Sequence, residues 1–161
     1  MLLLLVRHAD AGDRDPAQWS DDTVRPLTEK GRKVHAKVTR ALHEAGLVPE
    51  LILASPWLRA AQTAEVMTQE LGLAAAVPCP PLAADPDLHA LDAVVGPRKG
   101  KAVVALVGHS PWIEELGAML LTGTPKGVAM DFPKSGVLAV EAESVSAGAG
   151  ILRFFLRPKM V

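Results

Sequence analysis

Three short apolar runs in this 161-residue chain end abruptly in residues that can do chemistry. Residues 2–6 give way to Arg7-His8, residues 51–54 run through Ser55-Pro56 to Arg59, and residues 102–107 end in Gly108-His109-Ser110. If the runs are parallel neighbours in one sheet, two histidines, two arginines and two helix N-termini converge on one edge. Helix N-termini offer free N–H groups and a positive dipole end, which suit an anion. Guanidinium forks match phosphate oxygens two at a time. Neutral imidazole is a competent nucleophile, and in-line attack on phosphorus needs cations on the equatorial oxygens. The constellation suits a phosphoryl group, and spacing alone leaves either His8 or His109 as the attacking ring.

The elements that must hold these residues follow from pattern. Residues 2–6, 51–54 and 102–107 read as short buried strands. Residues 10–26, with five Asp, two Pro and one Gly, read as a long surface loop. Thr28 is an expected N-cap for a helix stopping at Gly46, with Val34, Val38, Ala41, Leu42 and Ala45 on its apolar face. A second helix starts at Ser55-Pro56 and runs to about Gly72. Residues 77–86 hold four Pro and are expected to be extended. A short helix at 87–95, a turn at 96–100, a helix from His109-Ser110-Pro111 to about Leu121, and strands at 136–142 and 151–156 complete the chain. Strands alternating with helices argue an α/β fold with a mostly parallel sheet, in one domain over 1–161. Such sheets bind ligands beyond the carboxyl ends of their strands.

Composition removes other classes. With 17 Lys+Arg against 18 Asp+Glu the net charge is -1, giving no bulk attraction to nucleic acid or anionic lipid. A single cysteine, Cys79, cannot form an internal disulfide or a zinc cage. The apolar start stops at Arg7, too short for a signal sequence or a membrane span, so a cytoplasmic location is expected.

The landmarks together resemble a known family. Leu5-Val6-Arg7-His8-Ala9-Asp10 is similar to the Arg-His-Gly signature of the histidine phosphatase superfamily, also called the phosphoglycerate mutase-like fold. Arg25-Pro26-Leu27-Thr28-Glu29-Lys30-Gly31, Ser55-Pro56-Trp57-Leu58-Arg59-Ala60-Ala61-Gln62-Thr63-Ala64 and Val107-Gly108-His109-Ser110-Pro111 resemble its later landmarks, in order. The short chain and Arg-Pro-Leu-Thr look most like SixA-type phosphohistidine phosphatases. The resemblance implies a three-layer α/β/α sandwich and a two-step, metal-free reaction without cofactor. It implies His8 as the phosphorylated nucleophile, with Arg7, Arg59 and His109 around the phosphate; Ser110 and Arg25 are further candidates for substrate binding. It implies a role in signal transduction, with a histidine-phosphotransfer protein as a plausible partner.

Two departures stand out. Ala9 replaces the usual Gly, and no Glu lies between Glu70 and Glu114, where mutase-like members place a general acid. Asp10, Asp22 and Asp85 are the remaining candidate proton donors. An alkoxide leaving group needs a delivered proton, whereas a phosphohistidine expels an imidazole whose second nitrogen can already carry one. The missing Glu therefore leans toward an N–P substrate. The alternatives are a broad phosphatase for small phosphomonoesters and a phosphate-binding module without turnover, which would need only the arginines.

Other residues read more plainly. His35 and His43, about 12 Å apart along a helix, suit a solvated face. His89 is a minor candidate for substrate contact, Cys79 a loop residue, and Trp57 and Trp112 possible pocket walls. The Asp-rich stretch lacks the spacing of a calcium loop, so no metal is expected.

Overall fold

Leu2–Arg7 (β1) has both faces covered, and its central four residues are wholly buried, as a strand inside a two-sided sheet requires. The computed structural model describes residues 1–98 and 100–161; Lys99, within the turn expected at 96–100, lies outside the described residues. The remaining elements are α1 (Glu29–Glu44), β2 (Leu51–Ala54), α2 (Leu58–Leu71), β3 (Val77–Pro78), α3 (Leu88–Val95), β4 (Val103–Gly108), α4 (Trp112–Thr122), β5 (Val137–Glu141) and β6 (Ile151–Leu156). One six-stranded sheet has the order β3-β2-β4-β1-β5-β6. The β3-β2, β2-β4 and β4-β1 pairs are parallel, and β5 is antiparallel to both β1 and β6.

Alternation along the strands builds two cores. Leu3, Leu5, Leu53, Val104 and Leu106 pack under Leu91, Ile113 and Leu116 of α3 and α4. Leu4, Val6, Ile52, Ala105 and Val107 face Val38 and Leu42 of α1 and Ala60, Ala64 and Met67 of α2 on the other side. This is a three-layer α/β/α sandwich with a mostly parallel sheet, the phosphoglycerate mutase-like arrangement. No helix among the described residues is long and apolar enough to cross a membrane.

Local chemistry sets the helix ends. Thr28 caps α1, its Oγ1 accepting from the Gly31 N–H at 2.9 Å, and Asp87 caps α3 by accepting from the Ala90 N–H at 2.9 Å. α2 ends on Gly72 in the left-handed region, φ 64°. It begins at Leu58, three residues after Ser55, because Ser55 and Pro56 are spent leaving the sheet.

Three expectations are corrected. The buried stripe of α1 is Gly31, His35, Val38, Thr39 and Leu42, rotated from the one the aliphatic residues outlined. His35 is thus fully buried while His43 is exposed, so the two do not share a solvated face. Residues 77–86 are not simply extended: β3 adds two residues to the sheet edge, and a 3-10 turn follows at Pro80–Ala83. Cys79 between them donates its N–H to the Ala54 carbonyl at 2.7 Å and is buried in the core, which pushes its thiol pKa up.

Candidate active site

The register of β1 on β4 pairs Arg7 with Gly108, so the residues that follow, His8 and His109, leave the sheet side by side. Their ring centroids are 5.2 Å apart. β2 flanks β4 on its far side, and Ser55 continues the ladder by donating its N–H to the Val107 carbonyl at 2.9 Å. The three strand ends are neighbours, as the sequence implied.

His8 is held in one protonation state by its surroundings. Its Nδ1 lies 2.7 Å from the Ala9 carbonyl, which can only accept, so Nδ1 carries the proton and Nε2 keeps its lone pair. Arg59 Nε donates to that Nε2 at 3.3 Å. Burial lowers the His8 pKa to about 3, with the Ala9 bond opposing and the Arg59, Arg7 and Arg25 charges reinforcing the shift. The ring is neutral and nucleophilic at any ordinary pH. His109 is likewise lowered to about 3, by burial first and then by His8 and Arg59. Its Nε2 is 2.8 Å from Ser55 Oγ, while Nδ1 is buried without a partner among the described residues.

The arginines frame the rings. Arg7 Nη1 donates to the Phe132 carbonyl at 2.6 Å, leaving Nε buried and unpartnered. Arg59 Nη1 donates to the Asp22 carbonyl at 2.8 Å, and Nη2 is 3.2 Å from Asp22 Oδ2. Trp57 packs on both, its ring 4.6 Å from His109 and 4.8 Å from the Arg59 guanidinium carbon, with Trp112 6.2 Å from His109. The result is a cationic recess around a neutral imidazole lone pair, suited to holding a tetrahedral anion and attacking it.

Several expected site residues have other duties. Arg25 staples the loop: Nε donates to Asp22 Oδ1 at 2.8 Å and Nη1 to the Ala11 and Gly12 carbonyls at 3.0 and 2.8 Å. Ser110 is exposed and donates its hydroxyl to Glu114 Oε1 at 2.9 Å. Asp10 and Asp22 are each paired with a cation. The Lys134 ammonium, 2.5 Å from Asp10, and the Arg25 guanidinium beside Asp22 hold both carboxyls below their usual range, so both are anions. Asp85 is exposed on the segment whose Ala84 and Pro86 line, with His109 and Trp112, a crevice of about 10 Å³. His89 is exposed on α3. Among the described residues no group of three His, Cys, Asp or Glu is gathered to hold a metal.

Sequence reasoning passed over Ser55 and Thr63. Thr63 Oγ1 donates to the Arg59 carbonyl at 2.6 Å and accepts from the Ala9 N–H at 2.9 Å, tying the nucleophile's neighbour to α2. Ala9 fits there fully buried, and its φ is not positive, so a Cβ meets no strain. The signal was present: Ser55, Arg59 and Thr63 recur every four residues, a polar stripe on an otherwise buried face.

Comparisons with known proteins agree with this geometry. Residues 3–89 match the family model of the histidine phosphatase superfamily (branch 1). The chain is 35% identical over 149 residues to an uncharacterized protein of Picosynechococcus sp., covering 88% of this chain and 86% of that one. It is also similar to the structure of the protein histidine phosphatase SixA complexed with tungstate, at 29% identity and TM-score 0.82, over 99% of each chain. A putative phosphohistidine phosphatase SixA from Agrobacterium tumefaciens shares the fold at 22% identity and TM-score 0.76, over 98% of this chain and 97% of that one.

Proposed function

This chain belongs to the histidine phosphatase superfamily, and from that premise we propose that it is a SixA-like phosphohistidine phosphatase acting through a phosphoenzyme on His8. In the first step the His8 Nε2 lone pair attacks phosphorus and the substrate's P–N bond breaks. Its electron pair returns to the ring nitrogen that bore the phosphoryl group. The leaving imidazole departs neutral, because its other nitrogen already holds a proton. Arg7, Arg59 and His109 hold the phosphoryl oxygens. In the second step water attacks phosphorus and the P–Nε2 bond breaks. That electron pair returns to His8, whose Nδ1 keeps its proton and donates it to the Ala9 carbonyl throughout. The proton lost by water leaves with phosphate or solvent.

The observation that carries the N–P preference is the charge state of the site. Asp10 and Asp22 are anions locked onto Lys134, Arg25 and Arg59, and both rings are neutral. Such a site offers cations and a lone pair but holds no proton ready for an alkoxide. A phosphohistidine leaving group makes no such demand, and the enzyme's own intermediate is the same kind of bond. A phosphorylated histidine-phosphotransfer domain is the proposed partner.

The test is a substrate panel containing such a domain, an aryl phosphate and sugar phosphates, run on wild type and His8→Ala. Fastest turnover on the phosphohistidine domain, with a label on His8 that vanishes in His8→Ala, supports the reading. Faster sugar-phosphate hydrolysis would overturn the substrate preference. No label and no turnover would leave phosphate binding alone.

A further inference from the structure

Ser55 carries no role in the reaction described above, yet it is fully buried and its hydroxyl meets the second imidazole. Its Oγ has two neighbours of different character. The Trp57 backbone N–H, at 3.3 Å, can only donate to it. His109 Nε2, at 2.8 Å, can donate or accept according to the ring's tautomer. A buried hydroxyl needs an acceptor for its own proton, and His109 Nε2 is the acceptor that Oγ meets. The Ser55 proton therefore points at Nε2, which must be bare, and the neutral ring's proton is driven to Nδ1. Nδ1 is the buried atom that lacks a partner among the described residues. As an N–H it awaits an acceptor; as a bare lone pair it would repel a phosphoryl oxygen.

We propose that Ser55 is a positioning residue that fixes His109 in the Nδ1–H tautomer, so that His109 meets a phosphoryl oxygen as a hydrogen-bond donor. The donor role rests on the phosphatase reading; the tautomer does not. The arrangement mirrors His8, whose Nδ1 proton is set by the Ala9 carbonyl. One strand-end hydroxyl and one backbone carbonyl thus set the two rings to opposite tasks: His8 exposes a lone pair at Nε2, His109 an N–H at Nδ1.

Long-range ¹H–¹⁵N correlation of the histidine rings in the wild-type protein at neutral pH reads the tautomer directly. His109 should show a protonated Nδ1 and a bare Nε2; a protonated Nε2 overturns the proposal, whatever the enzyme hydrolyses. Ser55→Ala should then lose the fixed tautomer and weaken binding of inorganic phosphate roughly 10- to 100-fold. Ser55→Thr, which keeps the hydroxyl, should retain the wild-type ring spectrum. An unchanged His109 spectrum and unchanged phosphate affinity in Ser55→Ala would sink the assignment. If Ser55→Ala does not fold, the wild-type spectrum still decides. Absence of any phosphoenzyme on His8 would fail the function reading while leaving this tautomer intact.

Discussion

Asp22 touches two arginines, accepting from Arg25 Nε at 2.8 Å and lying 3.2 Å from Arg59 Nη2. A carboxylate so placed can orient Arg59, whereas one meant to deliver a proton must first hold it. Asp22→Asn should therefore lower kcat/KM about tenfold, by the same factor for an aryl and an alkyl phosphate. A loss confined to the alkyl ester, whose leaving group needs the proton, would make Asp22 the acid after all. The pKa of His8 gives a second expectation. Lowered to about 3, the ring stays neutral from pH 8 to pH 5, so the His8 ring resonances should show no inflection near 6.5. Histidine-ring NMR of the substrate-free protein across that range checks it, and a break at 6.5 would mean an unshifted ring. At this scale the sequence was informative about residue types and blind to direction. Arg25 stands in a landmark, yet its Nη1 turns into the loop, because the Ala11 and Gly12 carbonyls need partners that no pattern reveals.

Helix α1 shows what periodicity can and cannot say. Its limits were legible from Thr28 and Gly46, but its buried face was not, because Gly31, His35 and Thr39 are not apolar by type. Gly31 sits inward because Asp10 crosses it; a Cβ there would lie 2.2 Å from the Asp10 carbonyl oxygen. Gly31→Ala should cost about 1–3 kcal/mol in urea unfolding and slow turnover, since Asp10 is two residues from the nucleophile. A fully stable Gly31→Ala would contradict that contact. His35 is buried with neither ring nitrogen bonded among the described residues, and burial lowers its pKa to about 4. The unfolded ring, at 6.5, takes a proton first as pH falls, so stability is lost below 6.5 and progressively toward 4. His35→Leu should remove that loss and stabilise the protein by about 2 kcal/mol at pH 5 beyond any gain at pH 8. Equal gains at both pH values would mean that His35 does not titrate on unfolding.

Over the whole molecule, His8, His35 and His109 share this sign, each neutral in the fold and basic when unfolded. Unfolding at pH 5 should take up about three protons, a slope of up to roughly 4 kcal/mol per pH unit. Calorimetric unfolding in buffers of differing ionisation enthalpy measures the uptake, and a value near zero would refute native neutrality. The three-layer architecture was readable from alternating elements, since strand ends and helix starts are local signals. The strand order was not, because lateral neighbours leave no mark on a strand's own residues.

That order has a consequence for how the molecule comes into being. β4 lies between β2 and β1 although it is fourth in the chain. While a nascent chain has made only its first 98 residues, Ser55, Arg59 and His8 exist but the slot between their strands is vacant. The strand that fills the slot also brings His109, so spacing and the last ring arrive in one event. Affinity for phosphate is thus acquired all at once and late, and its recovery during refolding should keep time with amide protection in β4.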